Sequence, residues 1–210
     1  MLDAGAVPRA LKAARRIGFE TYIEDPVWLA KARRGDYFVD LITGIGNATL
    51  VVNHSWIERA IPDAILGVPC KILAAEELIA AKVFVARRER FDGSDVVHLI
   101  CSCGGRLDWD RLLDLLHGHW GVLFWSLALF AYVYPSQTDL VPDRVWNELI
   151  RSFDKSVRHP QKDDPFRGSL IDPNMFAIDV DERGERDLYR ENCEKHPHLL
   201  RMEEPVGSKE

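Results

Sequence analysis

The chain has 210 residues, of which 47% are hydrophobic and 29% are charged. These proportions are typical of a folded globular protein and exclude a wholly disordered one. The formal net charge of −6 argues against a broad basic surface for non-specific binding of nucleic acid.

The cysteine spacing disfavours a zinc site. Cys101 and Cys103 form a lone C-x-C pair, and neither Cys70 nor Cys193 supplies the second pair that a four-ligand site needs. We therefore expect reduced, mostly buried thiols in a cytoplasmic protein. The most apolar run, from Gly121 to Tyr134, is shorter than the roughly 20 residues of a membrane span, so it is predicted to be a core helix.

The first part of the chain, residues 1–73, has the mixed pattern of an α/β unit. The predicted elements are a helix at Val7–Ile17, strands at Phe19–Ile23, Trp28–Ala32 and Tyr37–Ile42, a short helix at Ser55–Ile61, and strands at Ala64–Leu66 and Val68–Leu73. Three strands after a single helix predict a thin sheet with an unpaired edge.

The second part, residues 74–158, changes to helical periodicity. The predicted helices are Ala75–Arg88, Ser94–Cys103, Asp108–Leu116, His119–Tyr132 and Asp143–Val157. Residues 159–210 are predicted to be a polar linker followed by a highly charged, loosely ordered tail. The fold class predicted for the whole chain is α+β: a small mixed β-sheet with flanking helices, followed by a helical C-terminal part.

Asp40 is the strongest single candidate for chemistry, because it interrupts the apolar strand Tyr37–Ile42. Alternation places it on the same sheet face as Phe38 and Ile42. Burial of an unpaired carboxylate is costly, so we expect a metal ion, a cation or backbone donors beside it. A structural aspartate bonded to a nearby loop is the competing interpretation.

Lys82 is the second candidate, since helical periodicity places it on the apolar stripe of the predicted helix Ala75–Arg88. A lysine there either extends its ammonium group to solvent or binds an anion. Arg90 lies in a basic cluster beside Asp92 and Asp95. That cluster is either a solvated helix end or a phosphate-facing arginine held by an aspartate.

The order of these elements, together with several segments, resembles the minimal nucleotidyltransferase fold. It is similar in particular to the poorly characterised bacterial branch related to abortive-infection and toxin–antitoxin nucleotidyltransferases. The segments that carry the resemblance are Val39–Ile42, Gly67–Ile72, Glu77 with Lys82, Arg90–Leu99, Leu107–Pro135 and Phe166–Leu170.

The resemblance implies nucleotidyl transfer from a nucleoside triphosphate to a hydroxyl acceptor with Mg²⁺. In that superfamily a glycine turn, a D-x-D pair and a third aspartate from a later strand hold the magnesium ions. Asp40 matches the third aspartate and is expected to be the metal ligand. Lys82 and Arg90 are expected to contact phosphates or brace the site, while Asp92 and Asp95 orient them.

The glycine turn and the D-x-D pair are missing before Met1, and Asp3 cannot replace them. Either the true start lies upstream by about 40 residues, one strand–helix unit, or the chain is naturally short and serves as a binding partner. We favour the first and expect this truncated form to be weak or inactive. The acceptor, a small molecule, a transfer RNA or a partner protein, stays open. The alternative function is a non-catalytic interaction protein, such as a toxin–antitoxin component.

Overall fold

The computed structural model describes residues 4–196 of the chain. These residues form two compact units, one built from residues 4–73 with 189–196 and the other from Ala74–Leu188. Helices hold 52% of the residues and strands 18%, so the predicted α+β class is confirmed. The sheet predicted as mixed is antiparallel, because all strand pairs among the described residues run antiparallel in three small sheets.

The first unit follows the predicted order closely. Its elements are α1 (Val7–Arg16), β1 (Glu20–Asp25), β2 (Leu29–Arg34), β3 (Tyr37–Ile42), α2 (His54–Arg59), β4 (Ile61–Ile65) and β5 (Val68–Ile72). Strands β1, β2 and β3 form one sheet in that order, and β4 pairs with β5 as a separate hairpin.

Helix α1 packs on one face of the three-stranded sheet. Cross-strand register places Ile23, Ala30 and Leu41 side by side in β1, β2 and β3. Val7 and Leu11 of α1 join Ala30 in a buried cluster, and Ile23 and Leu41 pack against it. Because side chains alternate across a strand, residues of the neighbouring register positions lie on the opposite face.

The β4–β5 hairpin stands largely in solvent. Almost every residue of both strands is exposed, including the apolar Ile65 and Val68 that flank its turn. Leu66 and Gly67 form the two-residue turn with φ of 52° and 79°. Positive φ at both positions is the geometry of a type I′ turn, which suits glycine or asparagine but strains leucine.

The second unit contains mainly helices. Its elements are α3 (Ala75–Lys82), β6 (Ala86–Arg87), β7 (Arg90–Phe91), α4 (Gly93–Cys103), α5 (Trp109–Leu115), α6 (Trp120–Val133), α7 (Asp143–Arg158), α8 (Gly168–Ile171) and α9 (Ala177–Asp181). Helix α4 packs on α6, and α3 packs on α5 and α4.

The predicted helix Ala75–Arg88 is too long, because α3 ends at Lys82. Val83 and Phe84 are buried beyond the helix end, and the chain then turns back through the β6–β7 pair. Burial of a β-branched and an aromatic residue in a turn outweighs their helical spacing.

Two glutamates at the start of α3 are buried, although their position in the first turn predicts only a favourable interaction with the helix dipole. Glu76 Oε1 accepts a 2.8 Å hydrogen bond from the backbone N–H of Asp108, the residue before α5. Glu77 Oε1 accepts a 3.0 Å hydrogen bond from Nε of Arg111 within α5. Both bonds therefore fasten α3 to the start of α5.

The last stretch of the chain contains more regular structure than predicted. Helices α8 and α9 and a further helix, α10 (Leu188–Lys195), lie within residues predicted to be linker and loosely ordered tail. Asn192 of α10 donates 3.4 Å hydrogen bonds to the backbone oxygen of Asn47 and to Oγ1 of Thr49. The remainder of the predicted tail, residues 197–210, lies outside the described residues.

No single helix among residues 4–196 is long and apolar enough to cross a membrane. Trp109–Leu115 and His117–Val133 pass that test only together, with a bend of 78° between them. The four cysteines, all among the described residues, form no disulfide bond and are only half-buried, so the expectation of mostly buried thiols is wrong.

Leu11 tests the packing of α1 on the sheet. We expect Leu11→Ala to lower the free energy of unfolding by about 2–4 kcal/mol, because the buried side chain leaves a cavity against the strands. Urea denaturation followed by circular dichroism measures this. Ile17→Ala is the control, since Ile17 is exposed just beyond α1. Equal effects of the two variants would contradict the packing described here.

Candidate functional site

Asp40 lies on the uncovered face of the three-stranded sheet. Its cross-strand neighbour in β2 is Lys31, which in turn lies opposite Tyr22 in β1. The row of Tyr22, Lys31 and Asp40 lies on the sheet face opposite to the residues that pack under α1. Asp40 is exposed there. The expectation that its carboxylate is buried and needs compensation is therefore wrong, because water already solvates it.

Lys82 does not extend its ammonium group freely into solvent but binds two carboxylates. Its Nζ donates to Oδ2 of Asp92 at 2.9 Å and to Oδ2 of Asp95 at 2.6 Å. Arg90 binds the same Asp92 carboxylate with both prongs of its fork, Nε at 2.9 Å and Nη2 at 2.8 Å. These four side chains, which we call the Lys82 network, carry two positive and two negative formal charges.

The short β6–β7 hairpin explains how these side chains meet. Asp92 directly follows β7, and its backbone N–H donates a 2.9 Å bond to the oxygen of Val85. The chain thus returns to the end of α3, where Lys82 lies. Gly93 opens α4 beneath the Phe91 ring, and a Cβ there would lie 2.1 Å from that ring. Glycine at this position therefore allows the tight return.

The Lys82 network differs sharply in exposure from one group to the next. The Asp92 side chain is 8% exposed, whereas that of Arg90 is 65% exposed and that of Asp95 is 53% exposed. Asp92 is therefore the buried anchor of the network, and Arg90 is its most accessible charge.

The titration of the Lys82 network follows from these contacts. The fork of Arg90 holds the pKa of Asp92 below its usual range, against the opposing effect of burial, and Lys82 adds to the lowering. Burial would lower the pKa of Lys82, but its hydrogen bonds to Asp95 and Asp92 raise it overall. Hydrogen bonding to Asp92 likewise raises the pKa of Arg90. The charges of Asp92, Lys82 and Arg90 are thus stabilised at neutral pH.

The structure brings together three of the predicted site residues, Lys82, Arg90 and Asp95, all in the second unit. Asp40, the predicted catalytic and metal-binding residue, belongs to the first unit. Among residues 4–196, no three side chains of His, Cys, Asp or Glu are grouped so as to hold a metal ion. A single exposed carboxylate does not fit a magnesium site, because Mg²⁺ requires near-octahedral oxygen ligands.

Sequence reasoning missed two features of the second unit. One is the buried Glu77–Arg111 ion pair, for which helical spacing gives no signal because the partners lie in different helices. The other is a cleft lined by His119 and Arg167 beside the aromatic face of α6. The sequence signal that could have indicated this cleft is the concentration of aromatic residues at Trp120, Phe124 and Trp125.

Comparisons with models of protein families, with curated proteins and with solved structures find no match to this chain. The resemblance to nucleotidyltransferases therefore stays a prediction from the sequence.

The buried carboxylate of Asp92 generates a stability prediction. We expect Asp92→Asn to lower the free energy of unfolding by about 2 kcal/mol, because Lys82 and Arg90 both lose a charged hydrogen-bond partner. Asp95→Asn is the matched control and should cost less than about 1 kcal/mol, since Asp95 is largely solvated. Chemical denaturation at neutral pH measures both. A larger loss in the Asp95 variant would contradict the assignment of Asp92 as the anchor.

The lowered pKa of Asp92 also predicts a pH dependence. A carboxyl group whose folded pKa is depressed contributes stability above its unfolded pKa, about 3.9, and loses that contribution as the pH falls through the folded value. The stability difference between the wild-type chain and Asp92→Asn should therefore be constant above about pH 5 and shrink below about pH 4. Urea titrations at a series of pH values test this. A difference that persists undiminished in acid would refute it.

Proposed function

We propose that this chain is a nucleotidyltransferase-type protein of the cytoplasm that binds the phosphates of a nucleoside triphosphate through Arg90 and Lys82. We further propose that, as it stands, the chain is weak or inactive in transferring the nucleotidyl group to a hydroxyl acceptor. The observation that carries the first part is the Arg90 fork, which Asp92 holds from one side only.

Arg90 is oriented and still has hydrogen-bonding capacity. A guanidinium group has five N–H donors, and two of them are engaged by Asp92. The other three belong to a side chain that is 65% exposed. A planar cation fixed in this way loses little conformational entropy when it binds a phosphate, which favours binding.

Lys82 supports the same interpretation by holding the anchor in place. The Asp92 carboxylate is shared between two cations, Lys82 and Arg90. With Asp95 the Lys82 network has no net formal charge, so it does not repel a phosphate as an acidic cluster would. Asp95, which is half-exposed, is the group that an incoming phosphate would displace from Lys82.

The expected weakness of nucleotidyl transfer follows from an incomplete set of metal ligands around Asp40. Asp40 matches the third aspartate of the family pattern, and Mg²⁺ is the cofactor that the resemblance implies. Among residues 4–196 no group of three or more His, Cys, Asp or Glu side chains could hold this ion with Asp40. The acceptor, whether small molecule, RNA or protein, is not specified by this geometry.

Titration calorimetry with ATP and magnesium tests the phosphate contact. We expect heat of binding from the full chain and an affinity lower by about tenfold or more in Arg90→Gln, because a charged hydrogen bond to phosphate is lost. The matched control is Arg88→Gln, at an exposed position of the same hairpin turn outside the Lys82 network. Absence of binding in the wild-type chain, or equal loss in both variants, would contradict the proposal.

Incorporation of labelled nucleotide tests the second part independently. Robust transfer by the purified chain, abolished by Asp40→Asn, would show that the chain is an active enzyme and would refute the expected weak activity.

The β4–β5 hairpin favours a second candidate function, binding of a partner protein. Its tip presents Ile65, Leu66 and Val68 to solvent, and Leu66 is fully exposed in a strained conformation. A strained and exposed apolar residue lowers the stability of the free protein. A partner protein that covers the Leu66 side chain would account for leucine at this position.

Leu66→Asn separates the folding and binding effects of this residue. Asparagine tolerates positive φ, so the variant should be at least as stable as the wild-type chain in thermal denaturation. If the hairpin binds a partner, a complex reconstituted from purified components should weaken by about tenfold. Unchanged partner affinity would exclude the hairpin tip as the contact surface.

A further inference from the structure

We propose that the cleft beside α6 in the second unit binds a small planar aromatic molecule that carries one anionic group, such as a carboxylate, sulfonate or phosphate. The cleft has a volume of about 600 Å³. This lies within the range of pockets that enclose small organic ligands, roughly 300–1,000 Å³. The inference does not depend on the proposed function, since none of its lining residues belongs to the Lys82 network.

Aromatic side chains form the walls of the cleft. Trp120, Phe124 and Trp125 come from α6, and Phe153 comes from α7. Phe124 and Phe153 stack with their ring centroids 5.2 Å apart and their planes inclined by 33°. Rings fixed against each other in this way present flat apolar surfaces, which favour the stacking of a planar ligand.

Gly121 marks a point where the cleft could be filled by substitution. Gly121 lies in the first turn of α6 and lines the cleft, and a Cβ built on it meets no atom within 4 Å. Neither positive φ nor close packing therefore requires glycine there. A side chain much larger than alanine at this position would extend into the cleft, because residue 121 lines it.

Arg167 provides the charge that selects an anion. It is exposed on the cleft wall, and no hydrogen bond or ion pair joins its guanidinium group to any other residue between 4 and 196. His119, whose ring packs edge-on against Phe84 at 5.2 Å, lies in the same cleft. Burial, and secondarily the nearby Arg167, lowers the pKa of His119, so its imidazole is neutral and leaves Arg167 as the cation.

The remaining polar groups of the cleft fit the same kind of ligand. Asp164 and Ser156 also line it, and they offer acceptors for an N–H or O–H on the ligand ring. Asp164 carries a negative charge, opposite to that of Arg167. If Asp164 rather than Arg167 selected the ligand, the cleft would prefer an aromatic cation to an aromatic anion.

Fluorescence titration with 8-anilino-1-naphthalenesulfonate, an aromatic sulfonate, tests the site in the full chain. We expect saturable binding that weakens by about tenfold or more in Arg167→Gln, because a charged hydrogen bond is lost. Gly121→Leu should abolish binding by filling the cleft, whereas Gly121→Ala should retain it. Arg151→Gln is the matched charge control, since Arg151 is exposed on α7 and does not line the cleft.

Several results would overturn the proposal. These are unchanged affinity in Arg167→Gln, full binding in Gly121→Leu, or equally tight binding of the neutral analogue N-phenyl-1-naphthylamine. Tighter binding of an aromatic cation than of the sulfonate would likewise overturn it. If Gly121→Leu does not fold by circular dichroism, Ala128→Phe fills the same cleft from two helical turns further along α6 and must abolish binding.

Discussion

The Asp92 carboxylate is the group on which the candidate site depends. A carboxylate with so little access to water is stable only when cations and donors replace that water. Here Lys82 from the end of α3 and Arg90 from β7 both bind it. The pairing therefore fixes a helix end, a hairpin and the start of α4 relative to one another. The exposed N–H groups of the Arg90 guanidinium are oriented by its two hydrogen bonds to Asp92.

Asp40 and Asp92 show how differently the same side chain behaves in the two units. Asp40 interrupts an apolar strand, yet it is solvated because α1 covers only the opposite face of the sheet. Asp92 sits in a plain polar segment, yet it is buried and paired. A carboxylate in water is available to a ligand but is not oriented by its surroundings, whereas a buried one is oriented but already occupied. A catalytic carboxylate has to be both oriented and free to bind a ligand, and neither Asp40 nor Asp92 meets both conditions in this structure.

Helix α6 shows the limit of hydropathy as a guide. Its sequence is apolar on all sides, which predicts a helix surrounded by protein. Leu123, Leu127 and Phe130 are indeed buried. Trp125 and Ala128, however, face the open cleft. Hydropathy reports that a face avoids water but not whether protein or a ligand covers it, so the cleft emerged only from the packing of α6 with its neighbours.

The sequence by itself determined the α+β class and the position of most elements, because the period of apolar residues is a local property. Strand Tyr37–Ile42 has the predicted bounds, and α7 differs from its prediction by one residue. Only the tertiary structure decided that α3 ends at Lys82 and that Asp40 faces water. It also decided that Lys82 meets Asp92, ten residues along the chain. Burial and ion pairing depend on which distant segments pack together, and local periodicity carries no information about that choice.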